Sequence, residues 1–126
     1  MSLHVTYDLL CGSILGLNKN VESVAVVNNR GRVIEKISRP KFARQFPDHL
    51  SELFCMHYIL QVSMGRDFDE NYGPVNYHMS ERTSFTTLTF PIDDNIVLVT
   101  TNKNTSPITL ARKITCIIDE HRKQLS

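Results

Sequence analysis

The side chains of this sequence that could support catalysis are its cysteines and histidines, and their spacing does not form a catalytic pair. Cys55 and His57 stand two residues apart in a predicted helix. Each residue turns a helix by about 100°, so these two side chains diverge by about 200° and do not face each other. The sequence also lacks the P-loop, HExxH and GxSxG motifs. We therefore predict that the protein is not an enzyme and has no catalytic residues.

Metal binding is the second chemistry that the residue types suggest, in the acidic segment 65–74. Asp67, Asp69 and Asn71 have the spacing of the first ligands of a calcium loop. The sixth position is Tyr72 instead of glycine, and the twelfth is His78 instead of glutamate. The sharp turn and the bidentate carboxylate of such a loop are therefore missing. We predict no metal site and no cofactor.

Length and composition are those of one globular domain, residues 1–126, with 41% apolar and 21% charged residues. The net charge of +1 does not favour nucleic acid or a membrane surface as a partner. No apolar run has the length of a membrane span. Cys11, Cys55 and Cys116 lack CxxC spacing, so we expect them to be buried apolar residues in a reducing, cytoplasmic environment.

The strongest secondary-structure signal is a β-hairpin at residues 85–101. Leu88, Phe90 and Ile92 alternate with Thr or Pro, the period of a strand with one buried face. An Asp-Asp-Asn turn follows, and residues 96–99 are then apolar throughout. This second strand is predicted to be covered on both faces, and therefore to lie inside a sheet.

Further strands and three helices complete the predicted fold. Residues 21–37 form another hairpin with an apolar central strand at 24–27, and residues 75–79 form an edge strand after a proline. Helices are predicted at 3–17, at 47–64 and after Ser106, which is a favoured N-cap. The order α-β-β-α-β-β-β-α needs only antiparallel hairpins. It predicts a single-domain α+β protein with a five-stranded antiparallel sheet flanked by helices.

The helix at 47–64 is apolar on two sides, and this is the feature that suggests a partner. One stripe contains Leu50, Leu53, Leu60 and Met64, which we expect to face the chain's own core. A second stripe is expected to face another protomer, since a helix apolar nearly all round is buried on more than one side. The alternative is burial of this second stripe under the first helix or under residues 38–46. The predicted homodimer interface combines the second stripe with the edge strand, and comprises Cys55, Tyr58, Ile59, Val62, Val75, Tyr77 and Met79.

A short basic segment at 38–46 is the other candidate contact surface. Arg39, Lys41 and Arg44 surround Phe42 there. One interpretation is a loop that recognises a partner through these four residues. The other is a solvated loop whose aromatic side chains tuck under the sheet. The set is too small to indicate nucleic-acid binding.

The element order, the hairpin SVAVVNNRGRVIEKI and the capped helix TSPITLARKITCIIDEH together resemble the roadblock/dynein-light-chain family. Profilin-like and longin-like proteins share this general architecture. The segment 65–74 is long for the family, and the turn carries Asn28-Asn29 where an Asp-rich sequence is commoner.

The resemblance implies a non-enzymatic homodimer whose sheets join edge to edge and whose middle helices lie side by side. It also implies regulation or scaffolding of a small Ras-like GTPase. The alternative function is a PAS-like sensory domain that holds a small molecule between sheet and helix. Such a cavity would compete for space with Leu88, Phe90, Leu98 and Ile114, which we expect to fill it.

Overall fold

The computed structural model describes residues 3–42 and 48–125, with side chains for residues 7–41 and 51–123. The helices are α1 (Leu3–Leu15), α2 (Asp48–Gly65), α3 (Asp69–Tyr72) and α4 (Pro107–Leu125). The strands are β1 (Val21–Val27), β2 (Val33–Ser38), β3 (His78–Glu81), β4 (Thr86–Ile92) and β5 (Asn95–Thr101). The predicted order and the α+β class are confirmed. The structure also contains a short helix that the sequence did not predict. This helix, α3, follows a 3₁₀ turn at Arg66–Phe68, in the segment that was expected to be a loop. None of the described helices is long and apolar enough to cross a membrane.

The five strands form one antiparallel sheet in the order β2-β1-β5-β4-β3. The apolar strands β1 and β5 lie at its centre, as predicted. The edge strand β3 begins at His78, three residues later than expected. His78 pairs with Thr89, so an earlier start would place Asn76 opposite Pro91. Proline has no N–H to donate to a neighbouring strand, and the pairing therefore stops before it.

Helices cover both faces of the sheet. On one face α1 and α4 bury a large cluster that includes Ile14, Phe90 and Ile114, each at most 1% exposed. On the other face α2 packs on a smaller cluster that includes Val27, Ile96 and Leu98. Successive residues of a strand point to opposite faces, so β1 and β5 contribute to both clusters. Their predicted burial on both sides is confirmed.

One expectation for β4 was wrong. Its threonines alternate with apolar residues, which suggested a solvent-facing side, yet Thr87 and Thr89 are completely buried. They point away from Leu88 and Phe90, and therefore lie on the face that α2 covers. A period of two identifies two faces of a strand, but it does not identify what covers the polar one.

The orientation of α2 also corrects the sequence prediction. Cys55, Tyr58, Ile59 and Val62, which we assigned to a dimer interface, are 0–6% exposed and pack on the chain's own sheet. Their spacing of three, four and seven residues is the usual core-facing pattern of a helix. The opposite stripe, expected in the core, carries side chains that are 52–69% exposed, namely Leu53, Leu60 and Met64. Leu50 lies outside the described side chains.

Candidate partner-binding surface

The outer face of α2 carries three exposed apolar side chains. Leu53, Leu60 and Met64 are 63%, 52% and 69% exposed and follow one side of the helix. We call these three residues the outer stripe. Single exposed apolar residues are ordinary, but a group on one face of a helix is typical of an interaction surface. Glu52 is the only charged residue of α2 after Asp48, so little charge opposes contact with an apolar partner.

The edge strand β3 lies at one side of the sheet and pairs with β4 alone. Its outer N–H and C=O groups face away from the sheet and could pair with another strand. Three of the predicted interface residues belong to this region, and the structure separates them. Val75 and Met79 are 39% and 45% exposed, whereas Tyr77 is half-buried with its ring 5.8 Å from that of Phe90.

The two sides of β3 differ in which helix layer they adjoin. Met79 pairs with Leu88 and therefore emerges on the face covered by α4. His78 and Ser80 pair with Thr89 and Thr87 and emerge on the face covered by α2. A second strand added to β3 would thus meet Met79 on one face and His78 on the other.

An aromatic group connects α2 to the turn between β3 and β4. The ring of Phe54 stands edge-on to Tyr58 at 5.0 Å and lies 6.5 Å from Phe85. The guanidinium of Arg82 lies 5.9 Å from the centre of the Phe54 ring, within the range of a cation–π contact. These contacts hold one side of α2 against the β3 side of the sheet. The helix that carries the outer stripe is therefore packed on the sheet and on the β3–β4 turn.

The basic segment does not form the predicted recognition loop at Arg39. The Arg39 side chain donates hydrogen bonds from Nε to the Val21 carbonyl (2.7 Å) and from Nη2 to the carbonyls of Leu15 (2.9 Å) and Asn18 (3.1 Å). It thereby satisfies carbonyl groups after the end of α1, where a cation is also favoured by the helix dipole. Arg39 is a structural residue. Lys41 is exposed, the Phe42 side chain lies outside the described side chains, and Arg44 lies outside the described residues.

Two buried cysteines have raised pKa values. Burial, with smaller contributions from Glu35 and Asp8, raises the pKa of the Cys11 thiol to about 12. Burial also raises the pKa of Cys55, with Lys36 opposing. A thiol in this state is a poor nucleophile at neutral pH. Cys116 is exposed, against the expectation that all three cysteines are buried.

Two histidines also sit in sites that disfavour charge. Burial lowers the pKa of His78 and of His121. His121 stacks on Tyr7 with a ring separation of 5.9 Å, and its Nε2 has no hydrogen-bond partner among the residues that the structure describes. Within residues 3–42 and 48–125, no three His, Cys, Asp or Glu side chains are grouped so that they could hold a metal ion.

Sequence reasoning found the right helix and exchanged its two faces. The sequence contains a difference between the two stripes. Leu53, Leu60 and Met64 are seven and four residues apart, and the intermediate turn places Met56 and His57 between Leu53 and Leu60. Sequence reasoning also missed the exposed rings of Phe68 and Tyr72 in the 65–74 segment, which are 60% and 84% exposed.

Comparison with known proteins identifies the fold through structure alone. No family model matches the sequence, and no curated protein matches it. Among solved structures, Myxococcus xanthus MglB superimposes with a TM-score of 0.74 at 11% identity, covering 99% of this chain and 90% of that one. A Roadblock/LC7 domain from Streptomyces avermitilis gives 0.70 at 13% identity, over 94% and 96%. A structure of MglB with tetrameric arrangement gives 0.65 at 7% identity, over 96% and 94%. The chain therefore has the roadblock-type fold.

Proposed function

We propose that this protein is a non-enzymatic homodimeric interaction module that regulates or scaffolds a small Ras-like GTPase. The main support for this proposal is the exposed outer stripe of α2, together with the sheet edge formed by β3. The residues assigned to this surface are Leu53, Leu60 and Met64. Of the edge residues predicted from the sequence, Val75 and Met79 are exposed at the sheet edge, and Met79 lies on the α4 face.

A second copy of the chain suits this surface for reasons of symmetry and charge. Most homodimers are related by a two-fold axis, so the same patch of each copy must be complementary to itself. An apolar stripe meets this requirement, because two copies bring no like charges together. Two β3 edges can also pair antiparallel about the same axis, which would remove the exposed backbone groups of both.

The GTPase part of the proposal rests on the resemblance to roadblock proteins and is supported by the shared fold. The oligomeric part is supported by the solved MglB described with a tetrameric arrangement. The PAS-like alternative has less support. Leu88, Phe90, Leu98 and Ile114 are 0–6% exposed and occupy the space between sheet and helices where a ligand would have to lie.

The function is tested with the small Ras-like GTPases of the same organism. Each is incubated with the protein, and complex formation, GTP hydrolysis and nucleotide release are measured. We expect one GTPase to bind and to change at least one of these two rates. The Leu60→Glu variant should weaken the effect if the dimer is the active form, whereas Lys113→Glu on the exposed side of α4 should not. The absence of binding to every such GTPase would refute this function.

A further inference from the structure

A compact protrusion carries the most exposed aromatic residue of the described chain together with unpaired acids. Phe68 and Tyr72 are 60% and 84% exposed, and Asp67 and Glu70 beside them are exposed too. We call these four residues the acidic knob. Phe68 and Tyr72 are four residues apart in helical backbone and therefore lie on the same side. Neither Asp67 nor Glu70 belongs to the ion pairs found among the described residues.

The knob is held in a fixed position. Its neighbour Arg66 donates a hydrogen bond to the Asp93 carbonyl and lies 3.8 Å from the Asp94 carboxylate, which ties the segment to the β4–β5 turn. The N–H of Gly73 donates to the Asp69 carbonyl at 2.8 Å and closes the helical turn. Two aromatic rings on an already ordered support lose little entropy on binding, and such rings dominate many protein interfaces.

A surface of opposite charge lies beside the β1–β2 turn. A trough of about 630 Å³ runs between this turn and the first half of α2, and Arg30, Arg32, Val33 and Met56 contribute to its lining. We call these four residues the cationic trough. Val33 is 47% exposed, so apolar surface is available next to the guanidinium groups. Glu52 also lines the trough and offsets one of its two positive charges.

In one protomer the trough and the knob lie near opposite ends of α2. The trough adjoins residues 51–56 of α2, and the knob follows the end of that helix at Gly65. At 1.5 Å per residue the two are separated by roughly 15–20 Å along the helix axis. The Arg30 and Arg32 side chains take part in no ion pair within the described part of the chain. Neither surface is therefore engaged in an ion pair with another part of the described chain.

We propose that the acidic knob of one copy docks in the cationic trough of another copy and joins protomers or dimers into larger assemblies. The carboxylates of Asp67 and Glu70 pair with the guanidinium groups of Arg30 and Arg32 in this contact. The rings of Phe68 and Tyr72 point away from the Glu70 carboxylate, because residues two apart on a helix diverge by about 200°. They therefore face the other wall of the trough, where Met56 of α2 lies. Knob and trough are different patches, so the contact is separate from a two-fold interface through the outer stripe.

The test is sedimentation velocity of the full chain under reducing conditions over a range of concentrations. At about 20 mM salt we expect a species heavier than the basal one, and at about 500 mM salt only the basal species, because salt screens exposed charges. Reversing the knob with Asp67→Lys and Glu70→Lys should abolish the heavy species, as should reversing the trough with Arg30→Glu and Arg32→Glu. Circular dichroism checks that each variant is folded. The turn should survive the trough substitutions, because Arg30 and Arg32 bond the Asn28 side chain through their backbone N–H groups.

Mixing the two reversed variants gives the decisive result. Each variant alone presents knob and trough of the same sign, whereas the mixture contains complementary pairs and should regain the heavy species. Lys19→Glu with Lys113→Glu is the matched control, since it changes the net charge as much as the trough variant does at exposed sites away from both surfaces. A wild-type chain that stays at the basal mass at low salt overturns the proposal, and so does a mixture that fails to reassociate. Neither outcome bears on the Leu60→Glu and GTPase experiments, which test the proposed function separately.

Discussion

Arg39 shows how a residue type can suggest one role and a structure assign another. In the sequence it belongs to a basic segment with aromatic neighbours, a pattern that favours recognition of a partner. In the fold its guanidinium group is engaged by three backbone carbonyls between Leu15 and Val21. A planar fork with several donors can serve all three at once, which the single ammonium group of lysine does less well.

Replacing Arg39 should therefore reduce stability. We expect Arg39→Met to lower the free energy of unfolding by about 2 to 3 kcal/mol, the scale of losing charged hydrogen bonds to partly buried carbonyls. Arg39→Lys should recover part of the loss, and Arg32→Met, at an exposed residue, should change stability little. Urea denaturation measures all three. Equal stability of Arg39→Met and the wild type would show that these hydrogen bonds contribute nothing.

His121 makes stability depend on pH. Burial and the nearby Arg122 lower its pKa in the folded chain, and Asp93 opposes them in part, whereas the unfolded chain has the ordinary value of 6.5. The unfolded chain therefore binds more protons than the folded chain as the pH falls through 6.5, and stability must decrease there. His78 acts in the same direction.

We expect the free energy of unfolding to fall between pH 7.5 and pH 5, in urea melts taken at each pH. His121→Phe keeps an aromatic ring against Tyr7 and should make this decline shallower, with a remaining slope from His78. Ile108→Phe, which adds a ring at an exposed position and removes no titratable group, serves as the control and should leave the slope unchanged. The prediction fails if His121→Phe and the wild type have the same pH dependence.

Helix α2 is apolar on both of its sides. The side that packs on the sheet has the helical spacing of three, four and seven residues. It consists of Cys55, Tyr58, Ile59 and Val62. The outer stripe remains on the surface, and its exposure is what a second protomer would remove. Neighbouring residues of this helix thus belong to different environments.

Ile59 and Leu60 provide a matched pair, being 6% and 52% exposed. Ile59→Glu should unfold the chain, because it buries an unpaired charge between α2 and the sheet. Leu60→Glu should give a folded monomer, because it places a charge only in the proposed interface. Circular dichroism combined with size-exclusion chromatography separates the two results. A folded Ile59→Glu protein would contradict the described orientation of α2, and a dimeric Leu60→Glu protein would remove the outer stripe from the interface.

At the scale of the molecule, the sheet has two edges and two differently covered faces. The face under α1 and α4 holds the larger cluster, whereas α2 is the described helix that packs on the cluster of the other face. A second protomer packed on the outer stripe would lie over α2 on the side away from the sheet.

We expect light scattering at tens of micromolar to give twice the protomer mass of 14.4 kDa at high salt. High salt is chosen because it weakens contacts between exposed charges and leaves apolar contacts intact. The control is Leu60→Glu under the same conditions, which should give the protomer mass. A wild-type protein with the protomer mass at this concentration would refute the proposed dimer.

The sequence by itself determined the elements and their order, because the signals for them are local. Alternation and continuous apolar runs marked the strands at 24–27 and 96–99, and Ser106, whose Oγ accepts a hydrogen bond from the Thr109 N–H at 3.4 Å, marked the start of α4. Tertiary structure decided which stripe of α2 meets the sheet, what covers the threonines of β4, and where Arg39 directs its donors. Each of these depends on residues that are distant in sequence, such as the Leu15 carbonyl for Arg39 and the sheet residues Val27 and Leu98 for α2. Periodicity shows that a face is apolar, but only the packed fold shows which of two apolar faces the chain itself covers.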